Sequence, residues 1–215
     1  FDATKAMGVK KYPDAIQFIY DEKRRCFVVV EGPEETFKVK NPYIVDFDQV
    51  DAVFLEVEEY WTKSDNKFDH AIPAGQKELS ENKYDKVFWR YNLLMHIQTS
   101  HPYVGNIKYE MNYHEINLRF DGFHISVPPR GLELNGLLTG YELQRASERI
   151  TKFAEEQQRA VEQEHVIDIM KEKKSGGLIG SIVKDVYDDK YVKRIKNISK
   201  HLDRAFRISK VLGKV

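Results

Sequence analysis

Cysteine is nearly absent from this chain. The single Cys26 excludes an intrachain disulfide and any cysteine-rich zinc site. No oxidising compartment is needed, so a cytosolic setting is expected. Cys26 lies in the apolar run Cys26-Phe27-Val28-Val29-Val30, where a buried, inert thiol is the expectation. Long apolar runs are missing too: none approaches the ~18 residues that a membrane-spanning helix requires. The chain does not open on a charged-then-apolar leader, and it begins with Phe1, which leaves room for an upstream part. Net charge is also lacking, since 34 Lys+Arg balance 34 Asp+Glu.

What is present supports a folded body. Hydrophobic residues make up 41% and aromatics 12% of the chain, enough for a core, and the 32% charged content suits a solvated surface. The balanced charge is unevenly spread. From Lys171 to Val215 there are 13 Lys+Arg against 5 acidic residues, a net +8, so the preceding part carries −8. Two parts are therefore expected, a domain over residues 1–170 and a basic tail over 171–215.

The period of the apolar residues names the elements. Runs at 15–20 and 26–30, separated by Asp21-Glu22-Lys23-Arg24-Arg25, predict a hairpin with a charged loop. Alternation predicts strands at 36–40, 44–61 (with a bulge to bring Phe54 into phase), 87–99, 107–111, 116–120 and 123–127. Residues 62–85 are polar and read as a long loop, and Pro128-Pro129 ends the β region. The period then changes from two to three and four. Leu143, Ala146, Ile150, Phe153 and Ala154 predict a helix over 141–170, with Thr139 and Glu142 at capping-box spacing and the far half projecting from the body. Past Ser175-Gly176-Gly177, the residues Val183, Tyr187, Tyr191, Ile195, Ile198, Leu202, Phe206 and Leu212 trace a second amphipathic helix with basic flanks.

An α+β fold follows, with antiparallel strands preceding one helix. The phrases Pro42-Tyr43-Ile44-Val45-Asp46-Phe47-Asp48-Gln49-Val50 and His101-Pro102-Tyr103-Val104-Gly105-Asn106-Ile107-Lys108-Tyr109-Glu110-Met111-Asn112 resemble an uncharacterised bacterial family of PH-like domains. The resemblance covers roughly residues 15–164. It implies a bent antiparallel β-barrel capped by a long helix, here followed by the basic amphipathic helical tail, and a binding or scaffolding role with no catalytic residues to transfer. Many members carry a zinc ribbon of paired cysteines, which this chain lacks.

No constellation for a reaction is found. The seven histidines (His70, His96, His101, His114, His124, His165 and His201) have no metal-ligand spacing, and strand-borne His96, His114 and His124 could meet only by convergence. His101, ahead of Pro102, is expected to be a turn residue bonded locally. Asp46 and Asp48 are expected to share one face of a strand edge. No nucleophile elbow or phosphate-binding glycine loop occurs. No catalytic residue, metal or cofactor is therefore expected.

The tail supplies the candidate binding residues: Lys184, Lys190, Lys193, Arg194, Lys196, Lys200, Arg204 and Arg207. A basic amphipathic helix suits an anionic membrane surface, as a peripheral attachment, or an acidic protein face. Nucleic acid is disfavoured because the acidic part would repel phosphates. The alternative is a self-associating protein in which the long helix and tail form the oligomer contact.

Overall fold

The computed structural model describes residues 3–8, 16–32, 40–63, 72–73, 86–112, 116–121, 131–134, 136–175 and 189–215. Two long strands form its spine. β5 (Val50–Thr62) and β7 (Lys86–His101) pair antiparallel, from Val50 opposite Thr99 to Thr62 opposite Phe88. Alternation explains β5, whereas β7 is buried on both faces, with Phe88, Arg90, Leu94 and His96 buried as well. On β5 the side chains of Val53, Leu55, Val57 and Trp61 are buried, and on β7 those of Trp89, Tyr91, Leu93, Met95 and Ile97. Trp61 and Trp89 face one another directly.

Each outer edge of the spine is shared by two short strands. β10 (Gly136–Leu138) and β6 (Ile72–Pro73) lie in tandem along β5, while β8 (Val104–Glu110) and β9 (Ile116–Asp121) lie in tandem along β7. Asn112 fills the junction between the last two. Its side-chain oxygen accepts from the Leu93 amide at 2.8 Å and its NH2 donates to the Tyr91 carbonyl at 3.3 Å, so the β7 backbone stays bonded where β9 stops and β8 has not begun.

A second antiparallel sheet runs in the order β1 (Lys5–Gly8), β2 (Ile16–Asp21), β3 (Cys26–Glu31), β4 (Val45–Asp46). The charged hairpin loop is present. Asp21, itself buried, organises it by accepting from the Arg24 amide at 3.1 Å and the Arg24 guanidinium at 2.9 Å. Cys26 is buried beside it, and burial, reinforced by Asp21 and Asp46, raises its thiol pKa.

Two long helices complete the architecture among the described residues. α1 (Gly140–Ser175) outruns the expected end at Met170, and α2 (Asp189–Val211) returns antiparallel to it: Ser147 donates to the Ser199 carbonyl at 3.0 Å, and the Tyr141 and Phe206 rings lie 6.3 Å apart. Glu142 accepts from both the amide and the hydroxyl of Thr139, at 3.0 and 2.9 Å, closing the predicted N-terminal cap. Leu143, Ala146, Ile150 and Ala154 of α1 share one core with Ile195, Ile198, Leu202, Ala205 and Ile208 of α2, with Leu212 just beyond it, and with both sheets. Within the basic tail, α2 is thus packed into the body through its apolar stripe, while the expected stripe residues Val183 and Tyr187 lie outside the described residues.

The fold is α+β, with antiparallel sheets that stay open among the described residues. Three expectations need correction. The bulge in β5 lies between Val50 and Ala52, and Phe54 instead occupies the opposite face, stacked on His96 with centroids 4.6 Å apart. Asp46 and Asp48 share no strand edge, because Phe47–Gln49 turns as a 3-10 helix after Asp46. The β region continues beyond Pro129, since β10 pairs with Val57, Glu56 and Leu55. The expected strand at 123–127 and most of that at 36–40 fall outside the described residues.

Candidate functional site

Helix periodicity sorts the residues of α2 by face. The apolar side points inward, while Lys193, Lys196, Lys200, Arg207 and Lys210 are exposed. Their spacing alternates between three and four, with Asp203 at the missing step between Lys200 and Arg207. Such spacing keeps side chains on one face, so the cations form a row of about 25 Å at 1.5 Å per residue. Asp203 pairs with Arg207 one turn away. Among the described residues, Lys193, Lys196, Lys200 and Lys210 have no ion-pair partner.

The other predicted positions differ. Lys190 lies in the first turn of α2, Lys184 falls outside the described residues, and Arg194 is exposed with an interaction of its own. Arg204 leaves the outer row. It is half-buried, and that burial lowers the pKa of its guanidinium. Among the described residues its one hydrogen bond is to Nδ1 of His201, at 3.5 Å. His201 is buried, and burial together with the charges of Arg204 and Lys200 pushes it down to about 4, leaving a neutral imidazole. Lys210 extends the row and was not among the predicted binding residues.

A second exposed feature joins the two phrases that carry the family resemblance. Tyr43, 60% exposed, stacks on Tyr103, 77% exposed, with centroids 5.9 Å apart, and His101 lies 5.9 Å from the first ring and 6.0 Å from the second. The β7–β8 turn presents them. Thr99 accepts from the His101 amide at 3.2 Å, and His101 Nδ1 accepts from the Tyr103 amide at 3.2 Å, the local bonding expected of that histidine. Ser100 ties the turn to β5's approach by donating to the Gln49 carbonyl at 3.2 Å. Nothing periodic in the sequence marks this cluster, because its rings come from opposite ends of the spine's sequence.

His96 belongs to neither surface. Its Nε2 lies 2.9 Å from a Glu56 carboxylate oxygen that also accepts from Lys108 at 3.2 Å, and these two hydrogen bonds hold Glu56 below the usual carboxylate range. With Phe54 stacked on its ring, this is a satisfied histidine. Among the described residues, no three His, Cys, Asp or Glu side chains are grouped to hold a metal ion, and no helix is long and apolar enough to cross a membrane.

No family model, no curated protein and no solved structure matches this chain.

Proposed function

We propose that the chain is a non-catalytic binding module that attaches through the outer face of α2 to an anionic surface, either a lipid headgroup layer or an acidic protein face. One observation carries the reading: every buried apolar residue of α2 serves the core, while Lys193, Lys196, Lys200 and Lys210 stand exposed in one row, without an ion-pair partner among the described residues. A row of this kind is attracted by Coulomb forces alone, with no side chains to insert between lipids. Attraction should therefore fall steeply with salt. The proposal keeps the PH-like reading of the body, supported by antiparallel strands followed by a helix packed on them; the barrel itself is part of the proposal.

Co-sedimentation of the full chain with anionic and neutral vesicles tests it, beside the charge reversal K193E/K196E/K200E. Binding to anionic vesicles alone, lost in the variant and in high salt, supports lipid attachment. Acidic protein partners captured by the native row and not by the reversed one support the protein face. Indifference of all binding to the reversal defeats the proposal.

The exposed Tyr43, Ile44 and Tyr103 favour a second reading, association between copies. Ile195, Ile198 and Leu202 are fully buried within one chain, which takes them away from an oligomer contact. The aromatic cluster would serve instead. A concentration-dependent mass by light scattering that Y43S/Y103S abolishes is its signature.

A further inference from the structure

The pair of helices carries an exposed aromatic ring in a setting unlike that of the Tyr43 and Tyr103 cluster. Tyr141, in the first turn of α1, is 60% exposed and leans on Phe206 of α2, with ring centroids 6.3 Å apart and 43° between the planes. Phe206 is half-buried and packed against the core, so the exposed ring stands on a fixed base. The start of α1 is held from a second side. A Cβ on Gly140 would lie 3.2 Å from the Val215 Cα, so the chain's last residues pass beside the turn that carries Tyr141.

Cations flank the two rings. Arg145 follows Tyr141 by four residues on α1, and Lys210 follows Phe206 by four on α2, the spacing that sets side chains next to one another on a helix face; both cations are exposed. Lys210 is also the last member of the basic row, so the rings adjoin its end. Negative charge is kept back. Glu142, the acidic residue of the first turn, is bonded to the amide and hydroxyl of Thr139, and the next exposed acid of α1, Glu148, lies about 10 Å along the helix from Tyr141.

The row itself holds no apolar group, and these rings supply what it lacks. Aromatic side chains flanked by cations on a helix surface suit the boundary between lipid headgroups and acyl chains, where a tyrosine buries its ring and keeps its hydroxyl in water. Shape favours lipid over a protein partner. Two packed helices present a convex ridge, round which a fluid headgroup layer can close, whereas a specific protein partner needs a complementary surface burying about 1,200–2,000 Å².

We propose that Tyr141, mounted on Phe206 and flanked by Arg145 and Lys210, is a wedge that enters the headgroup layer of an anionic membrane. The inference rests on the reading of the α2 row as an anion-seeking face and deepens it: lipid is the occupant, and the Tyr141 end of the helix pair is the part that penetrates. Tyr141→Trp in the full chain gives a direct readout, because both native tryptophans, Trp61 and Trp89, are buried. With mixed phosphatidylcholine and phosphatidylserine vesicles, the variant's emission should shift to the blue and be quenched by brominated acyl chains. Neither change should occur with phosphatidylcholine alone or in the parent. Tyr141→Ser should weaken binding to the mixed vesicles about threefold to tenfold, with an unchanged far-UV circular dichroism spectrum.

The outcomes separate the wedge from the row. Binding to mixed vesicles that is lost in K193E/K196E/K200E but unchanged in Tyr141→Ser, with the emission of Tyr141→Trp unmoved, keeps the row and overturns the wedge. No binding to either vesicle overturns the wedge together with lipid as the occupant of the row. A Tyr141→Ser protein that binds vesicles as the parent does, but loses association with a second copy or with an acidic protein, overturns the wedge and assigns the ring to a protein contact.

Discussion

The side chain of Asn112 occupies the place of a strand residue opposite Leu93, accepting its amide at 2.8 Å. Because Asn112 is 2% exposed, no bulk water can replace that acceptor. Asn112→Leu should therefore strand the Leu93 amide and cost about 1–3 kcal/mol. Urea denaturation would read the loss; a variant as stable as the parent would mean the junction between β8 and β9 is satisfied some other way.

Integration of the basic tail predicts the behaviour of its core residues. Ile198 is fully buried among strands and α1. Ile198→Ala should lower global stability by about 2–5 kcal/mol, in a single transition followed by both tryptophan fluorescence and far-UV circular dichroism. An arm that detaches freely would give no change in the tryptophan-detected transition.

Gly140 opens α1 with φ +37°, and a Cβ there would meet the Val215 Cα at 3.2 Å. Gly140→Ala should cost at least about 1–2 kcal/mol from the left-handed backbone alone. Gly105, where a Cβ would meet nothing within 4 Å, is the control: Gly105→Ala should be neutral or slightly stabilising. Equal effects at both positions would contradict the packing of the chain's last residues on α1.

His201 makes stability depend on pH in a defined direction. Its folded value of about 4 lies below the ordinary imidazole value of 6.5, because burial disfavours the imidazolium. Between those values the unfolded chain binds more protons, so stability rises with pH. The contribution is complete above about pH 6.5 and is lost as pH falls towards about 4; it amounts to at most about 3 kcal/mol. Comparing His201→Gln with the parent across that window isolates it, and parallel pH curves for the two proteins would refute the assignment.

Strong periodicity made the spine and the helices legible. The odd-numbered apolar residues of β7 and the three-and-four spacing of α2 survive in the structure because burial acts on whole faces. Short elements left no such trace. Lys5–Gly8 and Gly136–Leu138 hold four and three residues, too few to show a period, and are strands only because a neighbour offers them a ladder. The basic residues were visible as charge, but their division between the outer row and the half-buried Arg204 depends on which side of α2 packs against α1 and the sheet. The aromatic cluster required knowledge of the turn that brings His101 and Tyr103 to Tyr43.

The tandem arrangement along the spine also bears on self-assembly. A long straight strand edge is a template on which another molecule can add a strand. Here the 13 and 16 residues of β5 and β7 face inward to each other, and short strands, of which β8 with seven residues is the longest, pair along parts of their outer sides. An incoming strand would find only brief, interrupted ladders at those borders, so the same division that gives Asn112 its role works against fibril growth.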